Sequence, residues 1–172
     1  MTARLLIISD THIPTRAKIL PAEVWAEVAT ADVVLHAGDW VDAAFLDELE
    51  AAARSLVAVH GNNDHGVLTE RLPLEARAEI EGIRFCVVHE TGPSAGREGR
   101  CSRRYPGVDV LVFGHSHIPW DTTTPTGLRL LNPGSPTDRR RQPHRTFLTA
   151  TAERGALADV RLHRLATTPK AP

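Results

Sequence analysis

The chain has 172 residues, 42% of them hydrophobic and 24% charged, with a formal net charge of −1. That is enough for one domain with a substantial core, and it offers no global basic field for nucleic acid or an anionic membrane. No apolar run approaches the ~18 residues of a membrane span, the N-terminus lacks the long apolar stretch of a signal peptide, and two cysteines are too few for a disulfide framework, so the chain reads as cytoplasmic.

In chain order, Leu5 to Ile8 reads as a first strand. A helix follows from about Pro21 to Ala29, with proline in its first turn. Val33 to Leu35 is a second strand, and Asp42 to Arg54 a second helix with Phe45, Leu46 and Leu49 on its apolar side. Leu56 to Val59 is a third strand. Near-continuous apolar strands alternating with helices predict β-α-β-α-β with a buried parallel sheet. Glu79 to His89, with Gly82 in the middle, suggests a hairpin. Ser94 to Tyr105 is basic, and either a loop or a helix fits it. Val108 to Phe113 is a buried strand, and residues 120–165 give short β segments broken by Pro125, Gly127, Pro133, Gly134 and Gly155. These later strands are expected to form a second sheet packed on the first, with helices outside. The pattern predicts an α/β single domain over 1–165 and a frayed tail over 166–172.

Residues able to bind metal close nearly every strong apolar run. Asp10 and His12 follow the first, Asp39 the second, Asn62 the third, His89 ends the hairpin, and His115 and His117 follow Phe113. In an open α/β sheet the carboxyl ends of the strands gather along one edge, so these segments deliver oxygen and nitrogen donors to a common rim. Asp10-x-His12 and His115-x-His117 place pairs two apart, which in extended chain points both side chains the same way. Gly38, Gly61 and Gly114 precede Asp39, Asn62 and His115, permitting sharp turns and close approach. Of the other histidines, His36 and His60 read as hydrogen-bonded core residues, and His144 and His163 have no partner motif. His65, just after the Asn62-Asn63-Asp64 turn, could face the site or the surface.

The set Asp10-Thr11-His12, Gly38-Asp39, Gly61-Asn62, His89 and Gly114-His115-Ser116-His117 resembles the calcineurin-like metallophosphoesterase superfamily. The short length and Leu131-Asn132-Pro133-Gly134-Ser135 are similar to its small YfcE-type phosphodiesterase branch. The resemblance covers roughly residues 4–140 and implies a four-layer α-β-β-α sandwich, two mixed sheets flanked by helices. It implies that Asp10, His12 and His117 hold one metal, that Asn62, His89 and His115 hold another, and that Asp39 bridges them. Two departures stand out. Asn63 occupies the place where many members carry a histidine, and Glu90 stands where many have glycine.

Two divalent cations ~3.5–4 Å apart would polarise a bridging water to hydroxide and clamp the phosphoryl oxygens. With Asp10, Asp39 and hydroxide counted, the site keeps a charge of about +1, suited to a singly charged phosphodiester. Mixed nitrogen and oxygen donors suit manganese first, with iron, zinc, nickel or cobalt as alternatives. Asp39 and Asn62 are the catalytic candidates, and Asn63 and His65 the substrate-binding ones. Asn63 can donate a hydrogen bond to the phosphoryl group but cannot act as an acid. Arg97, Arg100, Arg103 and Arg104, with Arg139 to Arg141, form two basic clusters that read as solvated surface or as a phosphate-engaging border. The predicted partner is a small phosphoester, with no stable nucleic-acid partner and no membrane; self-association is open. The competing readings are a protein-binding scaffold like the retromer subunit of this fold, and a phosphomonoesterase or nuclease.

Overall fold

The computed structural model describes residues 1–166. Strand β1 (Thr2–Ile8) leads to helix α1 (Ala22–Thr30), β2 (Val33–His36), α2 (Ala43–Ala52) and β3 (Leu56–Ala58). A short helix α3 (Val67–Arg71) precedes the hairpin β4 (Glu75–Ile80) and β5 (Ile83–Val88). Then come α4 (Arg97–Arg104), β6 (Val110–Val112), β7 (Trp120–Thr123), β8 (Arg129–Asn132), β9 (Arg145–Glu153) and β10 (Ala156–Leu165).

The strands form two five-stranded sheets, ordered β10-β9-β1-β2-β3 and β4-β5-β6-β8-β7. In the first, β1 to β3 are parallel and β9 runs antiparallel beside β1, with Leu5 opposite Ala150. In the second, β5, β6 and β8 are parallel, and β4 and β7 are antiparallel edges.

Strand alternation explains the layering. Leu5 and Ile7 face Phe85, Val87, Val110 and Val112 in a core between the sheets. Leu6 and Ile8 point the other way, onto Val24 and Val28 of α1 and Phe45, Leu46 and Leu49 of α2. Cys86, Leu111 and Phe113 pack outward against Cys101 of α4 and Tyr105. Strands buried on both faces are apolar at nearly every position, hence the near-continuous runs in the sequence. The order helix, sheet, sheet, helix is the four-layer sandwich.

Helix α2 starts on Asp42, whose carboxylate accepts from the Ala44 N–H at 3.0 Å. Pro21 caps α1 without a side-chain bond. The Ser94–Tyr105 region resolves as α4. One expectation is corrected. Residues 145–165 do not join the second sheet but form two long strands that return to the first. Strand β9 pairs along β1, whose edge would otherwise be open. The predicted frayed tail lies, apart from Ala166, outside the described residues.

Candidate metal centre

The loops after β1 and β2 stay in register beyond the strands. The Asp10 N–H bonds Gly38 O at 2.9 Å and the His12 N–H bonds Asp39 O at 3.0 Å. The backbone there is not extended, contrary to expectation. Asp10, His12, Asp39, His115 and His117 all have positive φ, between 46° and 68°. Non-glycine residues enter this region at a cost, and they concentrate where surrounding structure enforces it. The strained turns aim Asp10 and His12 into one cluster and divide His115 and His117 between two.

The first cluster is buried. His117 Nε2 lies 3.3 Å and His12 Nε2 3.9 Å from Asp10 Oδ1, and the two Nε2 atoms are 3.2 Å apart. The other Asp10 oxygen, Oδ2, accepts from Ser9 Oγ at 2.7 Å and the His115 N–H at 2.9 Å. Oδ1 is buried with no hydrogen-bond partner.

The second cluster is more open. Asn62 Oδ1 lies 3.0 Å from His89 Nε2 and 2.9 Å from His115 Nδ1. The His115 side chain is 47% exposed and that of His89 only 5%. Asp39 connects the two clusters. Its Oδ2 is 3.5 Å from His12 Nε2 and its Oδ1 is 3.4 Å from His89 Nε2.

The donor chemistry fits cations. His89 Nδ1 donates to Ala37 O at 2.7 Å and His117 Nδ1 donates to Asp138 O at 2.5 Å. Those tautomers leave both Nε2 atoms as lone pairs. The His89 lone pair therefore faces Asn62 Oδ1 and Asp39 Oδ1, and the His117 lone pair faces Asp10 Oδ1. Lone pairs aimed at lone pairs, with an orphaned buried carboxylate oxygen among them, form a set that a cation satisfies.

Without a cation, protons take its place. Burial works against a charge on His89, but its hydrogen bond to Asp39 and the charges of Asp10 and Asp39 outweigh it and raise its pKa to about 9. Burial likewise opposes ionisation of Asp39, yet the His89 contact and the Asn63 hydrogen bonds hold its carboxyl well below the usual range. Burial lowers the pKa of His12 despite the same carboxylates.

Residues 3–155 match the calcineurin-like phosphoesterase superfamily domain. The chain belongs to that superfamily. Among its relatives is a probable metallophosphoesterase of Methanocaldococcus jannaschii, 40% identical over 134 residues, which are 76% of this chain and 67% of that protein. A phosphodiesterase of the same organism is 27% identical over 128 residues, 64% of this chain and 71% of the relative. The fold is shared with Vps29 of Entamoeba histolytica, solved in complex with zinc, at TM-score 0.75 and 23% identity over 94% of this chain and 98% of that one.

The geometry brings the candidate ligands together, and the structure adds roles that the sequence did not assign. Asp64 is buried and accepts four backbone N–H groups: Asp39 at 3.0 Å, Gly61 at 2.7 Å, and Trp40 and Val41 each at 2.8 Å. It bolts the loop after β2 to the turn after β3. Ser135 Oγ donates to Asp10 O at 2.7 Å, Thr137 Oγ1 to Thr11 O at 2.7 Å, and Asn132 Nδ2 to Gly114 O at 2.8 Å. A Cβ at Gly61 would stand 2.2 Å from Asp39 Oδ1, and one at Gly114 would stand 1.9 Å from Ser9 Oγ, so both glycines serve close approach.

Asn63 turns out to clasp Asp39, its N–H on Oδ1 at 2.9 Å and its Nδ2 on Oδ2 at 2.7 Å. His65 is exposed, makes no side-chain hydrogen bond among the described residues, and lines none of the three cavities beside the clusters. Glu90 joins the second cluster, its Oε1 3.4 Å from His115 Nδ1. His36 is a buried core residue stacked 3.5 Å from Trp40, with Nδ1 accepting the Gly38 N–H. Both basic clusters reach the site, and Arg104 of the first lines a cavity with Asn62 and His89. Arg140 donates to His115 O at 3.1 Å and shares a cavity with His12 and Asn63, and Arg97 lines a cavity with His115.

Proposed function

We propose that this chain is a dinuclear metal-dependent phosphodiesterase acting on small diesters, nucleotide-derived ones among them, within a single domain over 1–165 in the cytoplasm. The observation that carries the reading is the Asp39 carboxylate, with one oxygen turned to each donor cluster. Asp10, His12 and His117 would hold one cation and Asn62, His89 and His115 the other, manganese being the first candidate and iron, zinc, nickel or cobalt the alternatives. Bound cations would supply Lewis acidity and an activated water.

The chain's own residues do the rest. Asp39 fixes the spacing of the two sites, and Asn63 fixes Asp39. The open side at Asn62 and His115 admits the phosphoryl group. Glu90 beside His115 disfavours a dianionic monoester over a singly charged diester. Asn63 cannot act as an acid for a leaving group, so esters with good leaving groups should turn over fastest. Among the described residues no helix is long and apolar enough to cross a membrane.

The test is hydrolysis of bis(p-nitrophenyl) phosphate with added manganese, alongside metal analysis. Two metals per chain and a loss of about 100-fold or more in Asp39→Asn are expected. An unchanged rate in Asp39→Asn or His117→Ala would sink the mechanism. A metal-loaded chain inert on every phosphoester would favour a protein-binding scaffold instead.

A further inference from the structure

A cavity of about 440 Å³ adjoins the second cluster, lined by His115 and Glu90 and by Ile118, Trp120 and Arg97. Arg97 is only 7% exposed. Its guanidinium carbon lies 4.8 Å from the Phe113 ring centre and 4.6 Å from that of Trp120. Among the described residues no carboxylate pairs with it, and its one hydrogen bond runs from Nη2 to Gly92 O at 3.3 Å. Its Nε is buried with no partner, as is Thr91 Oγ1 in the same cavity wall. The remaining buried atom in that condition among the described residues is Asp10 Oδ1, inside the first donor cluster.

A buried cation with no counter-charge is costly, and aromatic stacking offsets only part of that. Burial accordingly pulls the pKa of Arg97 down. Two aromatic rings already contact the guanidinium carbon, so a ligand is met by the N–H edge. Nη1 on that edge has no partner and is not sealed off as Nε is. The neighbouring Arg100 is committed differently, donating to the carbonyls of Thr91, Pro93 and Ala95 and pinning the loop that closes the cavity. Glu90 is 52% exposed and screened by water, whereas Arg97 is not, so the buried end of the cavity is its electropositive end.

We propose that Arg97 receives a second anionic group of the substrate, so that the preferred diester carries an arm ending in a carboxylate or a phosphate. The phosphoryl group sits at the Asp39 clusters and the arm runs past His115 to the Arg97 edge. A planar N–H edge matches two oxygens of such a group. The phosphoryl end rests on the phosphodiesterase reading, whereas the Arg97 end rests on the cavity alone.

Two p-nitrophenyl phosphodiesters test it, one whose second arm ends in a carboxylate and one whose arm is the matching methyl ester. The ratio of kcat/KM between them should fall about 10- to 100-fold in Arg97→Met, chiefly through KM, because a charge-assisted hydrogen bond is lost while the stacked stem remains. Arg97→Lys, which keeps the charge but not the planar edge, should fall between. A ratio within twofold of the parent in both variants, with cooperative melting retained, overturns the proposal. Should neither ester turn over, the phosphodiesterase reading fails by itself, and calorimetric titration of the metal-free chain with inorganic phosphate decides the Arg97 end. Phosphate binding lost in Arg97→Met sustains it, and equal binding in both chains, an adventitious ion only, overturns it.

Discussion

At the scale of single residues, the centre shows its appetite for positive charge through His89. The pKa of His89 rises from an ordinary 6.5 to about 9, so its protonated form contributes stability fully below about pH 6.5, and that contribution is lost as pH rises through about 9. Asp39 is depressed, so its contribution is present above the normal carboxylate range and is lost in acid. The metal-free chain should therefore melt at a higher temperature at pH 6 than at pH 9.5, and saturating manganese should flatten that difference. Loading near pH 7.5 should release at least one proton per chain, the one on His89, readable as a buffer-dependent heat of binding. Asp64 makes the second prediction at this scale. In Asp64→Asn an amide NH2 must face at least one backbone N–H that now has an oxygen. A loss of about 1–3 kcal/mol in urea unfolding and of 10- to 100-fold in metal affinity is expected. Unchanged affinity would mean that the bolt between the two loops does not hold the ligands.

At the scale of elements, the ligands were legible because a doubly buried strand carries few polar residues. Polar residues capable of binding metal cluster just past the apolar runs, and Asp10, Asp39, Asn62, His89 and His115 lie within four residues of the ends of β1, β2, β3, β5 and β6. Less local features were hidden. Asp64 acts on backbone groups up to 25 residues away, which no spacing rule exposes. Arg97 sits in Arg-Glu-Gly-Arg-Cys-Ser-Arg-Arg, which reads as solvated surface or as a phosphate-engaging border, and nothing in that run shows its burial against Phe113 and Trp120. The short helix α3 and the first arm of the hairpin from Glu75 carry too weak an apolar pattern to announce themselves. Close approach between elements supplies a test. Gly114→Ala would place a methyl 2.7 Å from Asp10 Oδ2 as well as against Ser9. The loop after β6 must then back away from the loop after β1, and metal affinity should drop at least about tenfold with the far-UV spectrum preserved.

At the scale of the molecule, three apolar clusters hold the sandwich together without help from the candidate ligands. Metal removal is thus expected to leave a folded, cooperatively melting chain, unlike small domains built around a metal. Added cation should raise the melting temperature in proportion to the logarithm of its concentration. A truncation of the shared core should do the opposite. Ile7→Ala, between the two sheets, should cost about 2–5 kcal/mol in urea unfolding.

The return of β9 to the side of β1 has a consequence for biosynthesis. All seven candidate ligands lie before Arg145, so a ribosome emits the complete donor set while β1 still lacks its second neighbour. A nascent chain paused at that point would display a bare strand edge next to a collection of unquenched lone pairs. Stalled or prematurely terminated translation products should therefore be the species most prone to scavenge the wrong ion and to stick to one another.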